Sequence, residues 1–319
     1  MTSPITASPG AAALIRRDAQ LYTQLIGWTP IAFEPDDGTL EWADLRGQEF
    51  DRPFFSRTLE RWQSEGRREV VRTGLSALAS LDVQPSLEPD LIIAHPSRCG
   101  STLLARLAAA SDERSILISE PAILASLLNH SLKTDFGAPV ERVLRQVVRA
   151  LGRIRFGTER RYVLKLPSNM TRYLPALRRA FPDVPTVWLQ REPAEIIESN
   201  LTNAANPLIP LPPEARVDWI MRRVTVAFMA ATTFVDDDVG VLDYRDLARD
   251  PLSLLTNVMR IQPRPEDIAR MEAVGRFHGH NDSPYTPREK QPLPKRLATI
   301  ARETLDPMYR ALAARGWAR

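Results

Sequence analysis

From Pro89 onward, short apolar runs alternate with longer stretches whose apolar residues recur at helical spacing. The strand-like runs are 90–94, 115–118, 162–166, 186–190 and 239–243, and the helical patterns are 101–110, 139–152, 193–203, 214–234 and 251–260. This alternation is typical of a parallel sheet with helices on both faces. We therefore predict an α/β fold whose ligands bind beyond the carboxyl ends of the strands.

The pattern before Pro89 differs. Residues 1–13 are rich in Pro, Ser, Ala and Gly, and apolar spacing predicts helices at about 12–28, 54–62 and 75–81. We expect a mainly helical N-terminal extension over 1–88, which packs on or covers a ligand site of the remaining chain, and an α/β domain over 89–319. The extension is rich in aromatic residues, which are interpreted most simply as packing residues.

Composition narrows the class of protein. The 319 residues are 44% hydrophobic and 25% charged, as in globular enzymes, and the net charge of +3 is too small for a nucleic-acid scaffold. The one cysteine excludes an intramolecular disulfide and favours a reducing compartment. No run approaches the roughly 20 apolar residues that span a bilayer. We expect a cytoplasmic protein without membrane or nucleic-acid partners, and its oligomeric state stays open.

The stretch 91–102 reads LIIAHPSRCGST, an apolar strand that runs into a turn and then a helix. Backbone N–H groups at a helix start are unpaired and the helix dipole is positive there, so the turn predicts an anion cradle. The ATP-binding loop G-x-x-x-x-G-K-[ST] has Lys directly after its second Gly. Here Ser101 follows Gly100, and the cation Arg98 precedes it, which argues against γ-phosphate chemistry.

A second strand-to-helix junction carries Arg191 and, eight positions later, Ser199, with Pro193 between them in the first turn of the helix. Arg at a strand end and a hydroxyl two turns along the next helix can hold one phosphate from two sides.

Together these segments resemble sulfotransferases, which use 3′-phosphoadenosine 5′-phosphosulfate (PAPS). Pro96 to Thr102 follows the order of their 5′-phosphosulfate loop, and Arg191 with Ser199 follows their 3′-phosphate pair. A third match runs from Tyr244 to Pro251, where we interpret Asp250 as a helix cap and Leu247 as core. The resemblance covers about 90–290. It implies a PAPS-binding set of Ser97, Arg98, Cys99, Gly100, Ser101, Thr102, Arg191 and Ser199, in which Cys99 stands where relatives carry Ser or Gly.

The catalytic residues follow from the same resemblance. Lys165 ends an apolar strand, where an amine is costly to bury unless it meets an anion. It precedes Arg191 by 26 residues, as the catalytic Lys does in the tyrosylprotein sulfotransferase branch. That branch has a catalytic Glu about twenty residues after the loop Arg, which implies Glu120 as general base, with Arg98 and Lys165 offsetting charge on the leaving phosphate. The alternative for Glu120 is a helix-capping or salt-bridged residue.

Near the C-terminus, a polar, Pro-punctuated segment contains Ser283, Arg288 and Lys290. Relatives close over PAPS with Ser and a basic residue in about this place, which implies Ser283 and Lys290 as further nucleotide contacts. His278 and His280 lack a completing cluster, so no metal is expected. His130 is a distant alternative base.

The sequence thus predicts transfer of a sulfuryl group from PAPS to a hydroxyl or amine, with a small metabolite as the expected acceptor. Two alternatives stay open at this stage. One is a divergent P-loop kinase, and the other is a non-catalytic nucleotide-binding protein on the same fold.

Overall fold

The computed structural model describes residues 15–17, 25–66, 69–81, 84–133, 136–202, 212–276 and 291–316. Two sheets organise these parts of the chain. The first contains β1 (Ile15–Arg17), β2 (Trp28–Glu34), β3 (Thr39–Asp44) and β4 (Val70–Gly74). The second contains β5 (Leu91–Ala94), β6 (Ser115–Ser119), β7 (Arg161–Lys165), β8 (Thr186–Gln190) and β9 (Val239–Asp243).

The helices follow in chain order. They are α1 (Phe55–Ser64), α2 (Ser101–Ala110), α3 (Ala122–Ser131), α4 (Val140–Leu151), α5 (Leu174–Ala180), α6 (Pro193–Thr202), α7 (Pro213–Phe234), α8 (Tyr244–Arg249), α9 (Pro251–Met259), α10 (Pro265–Gly275), α11 (Lys295–Ile300) and α12 (Asp306–Ala313). Short 3₁₀ helices span Leu75–Leu81 and Thr171–Tyr173, and a π-helical turn spans Ala301–Leu305.

The larger sheet is parallel throughout, with the order β6-β7-β5-β8-β9. The connection from β5 to β6 crosses the sheet towards one edge, whereas the connection from β7 to β8 crosses over β5 towards the other edge. Because crossovers between parallel strands are right-handed, these opposite directions put α2 and α5 on opposite faces. The predicted α/β architecture is confirmed, and all five predicted strands form. The reversal of direction places a ligand crevice at the carboxyl end of β5.

The expectation of a mainly helical N-terminal extension is wrong. Helix α1 forms as predicted and Leu75–Leu81 is helical, but the rest of the described part is a four-stranded sheet of order β1-β4-β3-β2. Within the predicted helix 12–28, the described residues Ile15–Arg17 form β1, and Trp28 begins β2, which forms a hairpin with β3. Asp37-Gly38 makes its turn, with Gly38 at φ 67° and its N–H bonded to Glu34. An Asp-Gly pair between two apolar runs is a hairpin signal, which the sequence analysis did not use.

Both sheets contribute to one hydrophobic core, which contains Trp42 of β3 as well as Ile92 of β5. Strand β2 packs on α3, and the carbonyl of Phe50 accepts the Leu117 N–H (2.8 Å) on the edge strand β6. Buried Arg153, after α4, donates to the carbonyls of Leu25 and Trp28. The N-terminal sheet is therefore attached to the side of the larger sheet. The domain boundary at residue 88 stays a prediction.

A substitution at Gly152 tests the packing of the chain before β5 on the end of α4, because Gly152 lies at that contact. A Cβ at Gly152 would lie 2.6 Å from the Leu87 carbonyl oxygen and 2.6 Å from the Tyr162 ring. We expect Gly152→Ala to lower the free energy of unfolding by about 1–3 kcal/mol, as overpacking does, measured by urea denaturation.

The matched control is Gly275→Ala in α10, where a Cβ meets nothing within 4 Å. It should leave stability unchanged or raise it by up to about 1 kcal/mol, since Ala is the better helix former. Equal effects of the two substitutions would contradict the close contact at Gly152.

Candidate active site

All five parallel strands deliver polar residues to one edge of the sheet. His95 follows β5, Glu120 follows β6, Lys165 ends β7, Arg191 follows β8, and Tyr244 follows β9. The sequence predicted Arg98, Lys165 and Arg191 at this edge. The structure brings them there on the central strand and its two neighbours, and the outer strands add Glu120 and Tyr244.

The loop between β5 and α2 has an unusual backbone. Ser97 has φ 82° and Arg98 has φ 51°, both in the left-handed region that L-residues rarely adopt. Only four non-glycine residues of the described segments have positive φ, and three of them lie at this edge, with Glu120 (φ 53°) as the third. Strain of this kind clusters at functional sites. Left-handed turns also direct successive N–H groups to one side, where they form anion-binding concavities.

Gly100 completes the loop and is the N-cap of α2, with φ 88° and no side-chain cap. A Cβ there would lie 2.6 Å from Cδ2 of Tyr244. Ser101 and Thr102, the first two residues of the helix, are both buried. The loop therefore needs glycine at this position for its backbone angle and for the close approach of the tyrosine ring, and α2 begins without a side-chain cap over its first N–H groups.

His95 supports the loop from below. Its Nδ1 accepts the Ser97 N–H (3.0 Å), so the other ring nitrogen, Nε2, carries the proton and donates to the Leu166 carbonyl (2.9 Å). The ring is 2% exposed. Burial, reinforced by the positive charge of Lys165, lowers the pKa of His95 from 6.5 to about 3. His95 is therefore a neutral structural residue that fixes the Ser97 backbone.

Cys99 is buried, and burial raises the pKa of its thiol to about 11. A thiol that stays protonated at neutral pH is a poor nucleophile. Burial of a protonated thiol agrees with the sequence analysis, in which Cys99 is a small residue where relatives carry Ser or Gly.

Lys165 and Glu120 form an ion pair at the ends of β7 and β6. The lysine side chain is 1% exposed, whereas the glutamate side chain is 31% exposed. The Glu120 N–H also donates to the Lys165 carbonyl (2.8 Å), and the left-handed backbone at Glu120 turns the chain there. The predicted buried amine thus meets its anion. Glu120 is salt-bridged and does not cap α3, whose N-cap is Pro121 without a side-chain bond.

Arg191 reaches the loop from β8. Its Nη1 donates to the Arg98 carbonyl (3.4 Å), and its guanidinium lies 4.5 Å from the centroid of the Tyr244 ring. Its Nε donates to Glu195 (2.5 Å), one turn into α6. Ser199 is one further turn along the helix, on the same face as Glu195. The two predicted phosphate-binding segments are therefore in contact through Arg191 and Arg98.

Ser283, Arg288 and Lys290 lie outside the described residues. Gln291, the next residue of the chain, donates its N–H to the Glu198 carboxylate (3.3 Å). Glu198 is the chain neighbour of Ser199. Gln291 is thus hydrogen-bonded to α6, the helix that carries Ser199, which is predicted to bind the 3′-phosphate.

Three contributors to this edge were not predicted from sequence. The sequence analysis gave the segment that begins at Tyr244 a structural role only. The position of Tyr244 directly after a parallel strand could have indicated that it lies at the site. Phe54 of the N-terminal part lies with its ring 5.2 Å from Lys165 Nζ. Arg223 of α7 hydrogen-bonds Ser168 (2.8 Å) and interacts electrostatically with Glu120. No sequence pattern indicated Phe54 or Arg223 as site residues, because tertiary packing brings both to this edge.

Asp250 caps α9, and Leu247 is fully buried, as predicted.

His130 does not lie among these residues. Its ring packs between Phe33 (5.2 Å) and Phe136 (5.7 Å), on the side of α3 that faces the N-terminal sheet. In the described ranges, no group of three or more His, Cys, Asp and Glu side chains could hold a metal ion. Within the same ranges, no helix is both long and apolar enough to cross a bilayer.

Comparisons with known proteins give matches among solved structures only. No protein-family model matches the chain, and no curated protein matches it. A sulfotransferase of Mycobacterium avium is 16% identical, over 62% of this chain and 69% of its own (TM-score 0.41). One of Mycobacterium tuberculosis is 17% identical, over 67% and 75% (0.39), and one of Alicyclobacillus acidocaldarius is 16% identical, over 72% and 94% (0.40). Matches this distant do not decide the reaction.

The neutral state of His95 predicts a pH-dependent stability. The unfolded chain protonates this residue near pH 6.5, whereas the folded protein does so only near pH 3. Between these values the unfolded state binds more protons, so stability falls as pH falls. We expect the contribution of His95 to the free energy of unfolding to decrease by about 2 kcal/mol between pH 7 and pH 5.

The measurement is urea denaturation at both pH values for the parent protein and for His95→Gln. A glutamine amide can also accept one hydrogen bond and donate another, but it does not titrate. The variant should therefore lose less stability than the parent on acidification, by about 2 kcal/mol. Parallel pH profiles would show that His95 is not the group responsible.

Proposed function

We propose that this chain is a PAPS-dependent sulfotransferase. The observation that carries the proposal is the contact of Arg191 with the strained loop at Arg98, beside the Lys165–Glu120 ion pair. It combines two separate phosphate-binding segments with a base and a cation at the edge of one sheet. PAPS has two phosphorylated ends and a transferable sulfuryl group, and it matches that set of groups.

The loop and the start of α2 are proposed to hold the 5′-phosphosulfate. The left-handed residues Ser97, Arg98 and Gly100 shape the concavity, and the uncapped helix start supplies N–H donors together with the positive end of the helix dipole. Ser101 and Thr102 begin that helix. Cys99 contributes its backbone, since its thiol is buried and protonated.

Arg191 and Ser199 are proposed to hold the 3′-phosphate. Arg191 uses Nε for Glu195 and Nη1 for the Arg98 carbonyl, and in the described part of the chain its Nη2 has no partner. The Arg191 side chain is 19% exposed. An open guanidinium donor, held in place by its other two nitrogens, fits a phosphate oxygen.

The reaction moves the sulfuryl group from the bridging oxygen of the phosphosulfate to an acceptor oxygen. The bond from sulfur to the bridging oxygen breaks, and the acceptor oxygen forms a bond to sulfur. Glu120 takes the acceptor proton, because its carboxylate is the more exposed member of the ion pair. Protonated Glu120 holds Lys165 less strongly, which frees the ammonium to stabilise the leaving phosphate together with Arg98. The products are adenosine 3′,5′-bisphosphate and a sulfate ester; an amine acceptor reacts through its nitrogen in the same way and gives a sulfamate.

The acceptor is proposed to be a small hydroxyl or amine compound, and the protein to act in the cytoplasm. Phe54, close to Lys165, supports the expectation that the N-terminal part borders the acceptor site. The proposed reaction uses no metal.

Binding of adenosine 3′,5′-bisphosphate tests the nucleotide assignment. We expect it to bind more tightly than ATP or 5′-AMP, because only it carries a 3′-phosphate. We expect Arg191→Ala to weaken its binding by about 1.5–3 kcal/mol, the effect of losing a charge-assisted contact. Isothermal titration calorimetry measures both differences.

The control is Arg142→Ala, which removes an exposed arginine of α4, outside both proposed phosphate-binding segments, and should leave affinity unchanged. Preferential ATP binding would favour the kinase alternative. Equal affinities of the parent protein and Arg191→Ala would remove Arg191 from the nucleotide site.

The role of Glu120 predicts a separation between binding and turnover. Glu120→Gln keeps an acceptor for the buried Lys165 but cannot take a proton. We expect the rate of sulfuryl transfer to fall by about 10²–10⁴-fold, with the affinity for adenosine 3′,5′-bisphosphate within about threefold of the parent value. Transfer of radiolabelled sulfuryl from PAPS to a phenol is the readout.

Glu272→Gln is the matched control, since Glu272 is exposed on α10. Full activity of Glu120→Gln would exclude Glu120 as the base. Nucleotide binding without transfer to any acceptor, in the parent protein as well, would identify a non-catalytic binding protein.

A further inference from the structure

Arg223 is a cation at this site that neither binds the proposed nucleotide nor belongs to the Lys165–Glu120 ion pair. It lies on α7, four residues after Trp219, and its guanidinium carbon is 4.4 Å from the centroid of the Trp219 ring. One nitrogen, Nη2, donates to the Ser168 hydroxyl (2.8 Å). Ser168 follows Lys165 by three residues, so Arg223 is attached to the segment that carries the ion pair.

No carboxylate of the described segments lies within ion-pair distance of Arg223. Its Nε and Nη1 have no hydrogen-bond partner there, and neither atom belongs to the buried unsatisfied atoms. A guanidinium carries five N–H donors. One nitrogen and the stacked ring fix its position, and the remaining donors have no partner among the described residues.

Arg223 lies beside the proposed base, because the Ser168 hydroxyl that it binds follows Lys165 by three residues. The charge of Arg223 interacts with Glu120 and with His95, and the His95 ring is itself 3.6 Å from Glu120. Partial burial lowers the pKa of Arg223, and Glu120 only partly offsets this effect. A cation that is held rigidly, incompletely neutralised and adjacent to the proposed base is suited to bind an anion that arrives with the acceptor.

We propose that Arg223 determines acceptor specificity by binding an anionic group, a carboxylate or a phosphate, of the molecule whose hydroxyl meets Glu120. The inference rests on the proposed function for the identity of the reaction, but the anion-binding role of Arg223 can be tested separately. The aromatic rings of Phe54, near Lys165, and Trp219, beneath Arg223, suit an acceptor with an aromatic or apolar body between its two polar ends.

Three phenols serve as probes. 4-Hydroxyphenylacetate carries a carboxylate, 4-hydroxyphenyl phosphate carries a phosphate, and tyrosol carries a neutral hydroxyl in place of either. Calorimetric affinities for all three are measured with the parent protein, with and without adenosine 3′,5′-bisphosphate. We expect at least one anionic phenol to bind 10-fold or more tightly than tyrosol, and the preferred one identifies the anion.

The variants separate the role of Arg223 from a structural one. Arg223→Met should reduce the anionic preference to about onefold, whereas Arg223→Lys should restore part of it, since lysine keeps the charge without the fork. The matched control is Arg222→Met, the exposed neighbour on α7, which should keep the full preference. Affinity for adenosine 3′,5′-bisphosphate and thermal midpoints should stay unchanged in all three variants.

Several results would overturn the inference. The parent protein could bind no anionic phenol better than tyrosol at up to 10 mM, or Arg223→Met could keep the preference. Arg223→Met could instead lose nucleotide affinity with the preference intact, which would assign Arg223 to the nucleotide. A protein that binds no adenosine 3′,5′-bisphosphate yet shows the Arg223-dependent preference would refute the proposed function and support the anion site.

Discussion

The buried ammonium of Lys165 is the constraint on which the rest of the site depends. It ends the strand next to the centre of the sheet, pairs in register with both neighbouring strands, and is 1% exposed. A buried charge that loses its partner destabilises a protein by about 3–5 kcal/mol. The chain after β6 therefore turns through a left-handed residue so that the Glu120 carboxylate reaches Lys165.

The same charge extends its influence to the phosphate loop. Lys165 helps to keep His95 neutral, and neutral His95 has an acceptor nitrogen for the Ser97 N–H. A protonated imidazole would have no acceptor there, and the strained turn at Ser97 would lose its support. The ion pair and the anion cradle are thus coupled through one buried ring, although they belong to different strands.

The sequence predicted the parts of this site that depend on local order. Strand-to-helix junctions with Gly100, Lys165 and Arg191 are visible as patterns, because each strand end in a parallel sheet points to the same edge. The N-terminal sheet was missed because the sequence analysis followed helical spacing before Trp28 and did not use the Asp37-Gly38 hairpin signal. Phe54 and Arg223 could not be predicted, since each reaches the site from an element whose own pattern indicates packing only.

These unpredicted residues determine how the two sides of the site differ. On the side of β8, Arg191 is held by Glu195 and by the loop, so its charge is already shared before any ligand binds. On the opposite side of β5, Lys165 is neutralised by Glu120. Among the described residues, Arg223 beside them contacts a hydroxyl and an aromatic ring but no carboxylate. Positive charge therefore exceeds negative charge near the proposed base. In the proposed reaction the charge of Lys165 serves the leaving phosphate, so an anionic group of the acceptor would pair with Arg223 and place the acceptor hydroxyl beside Glu120.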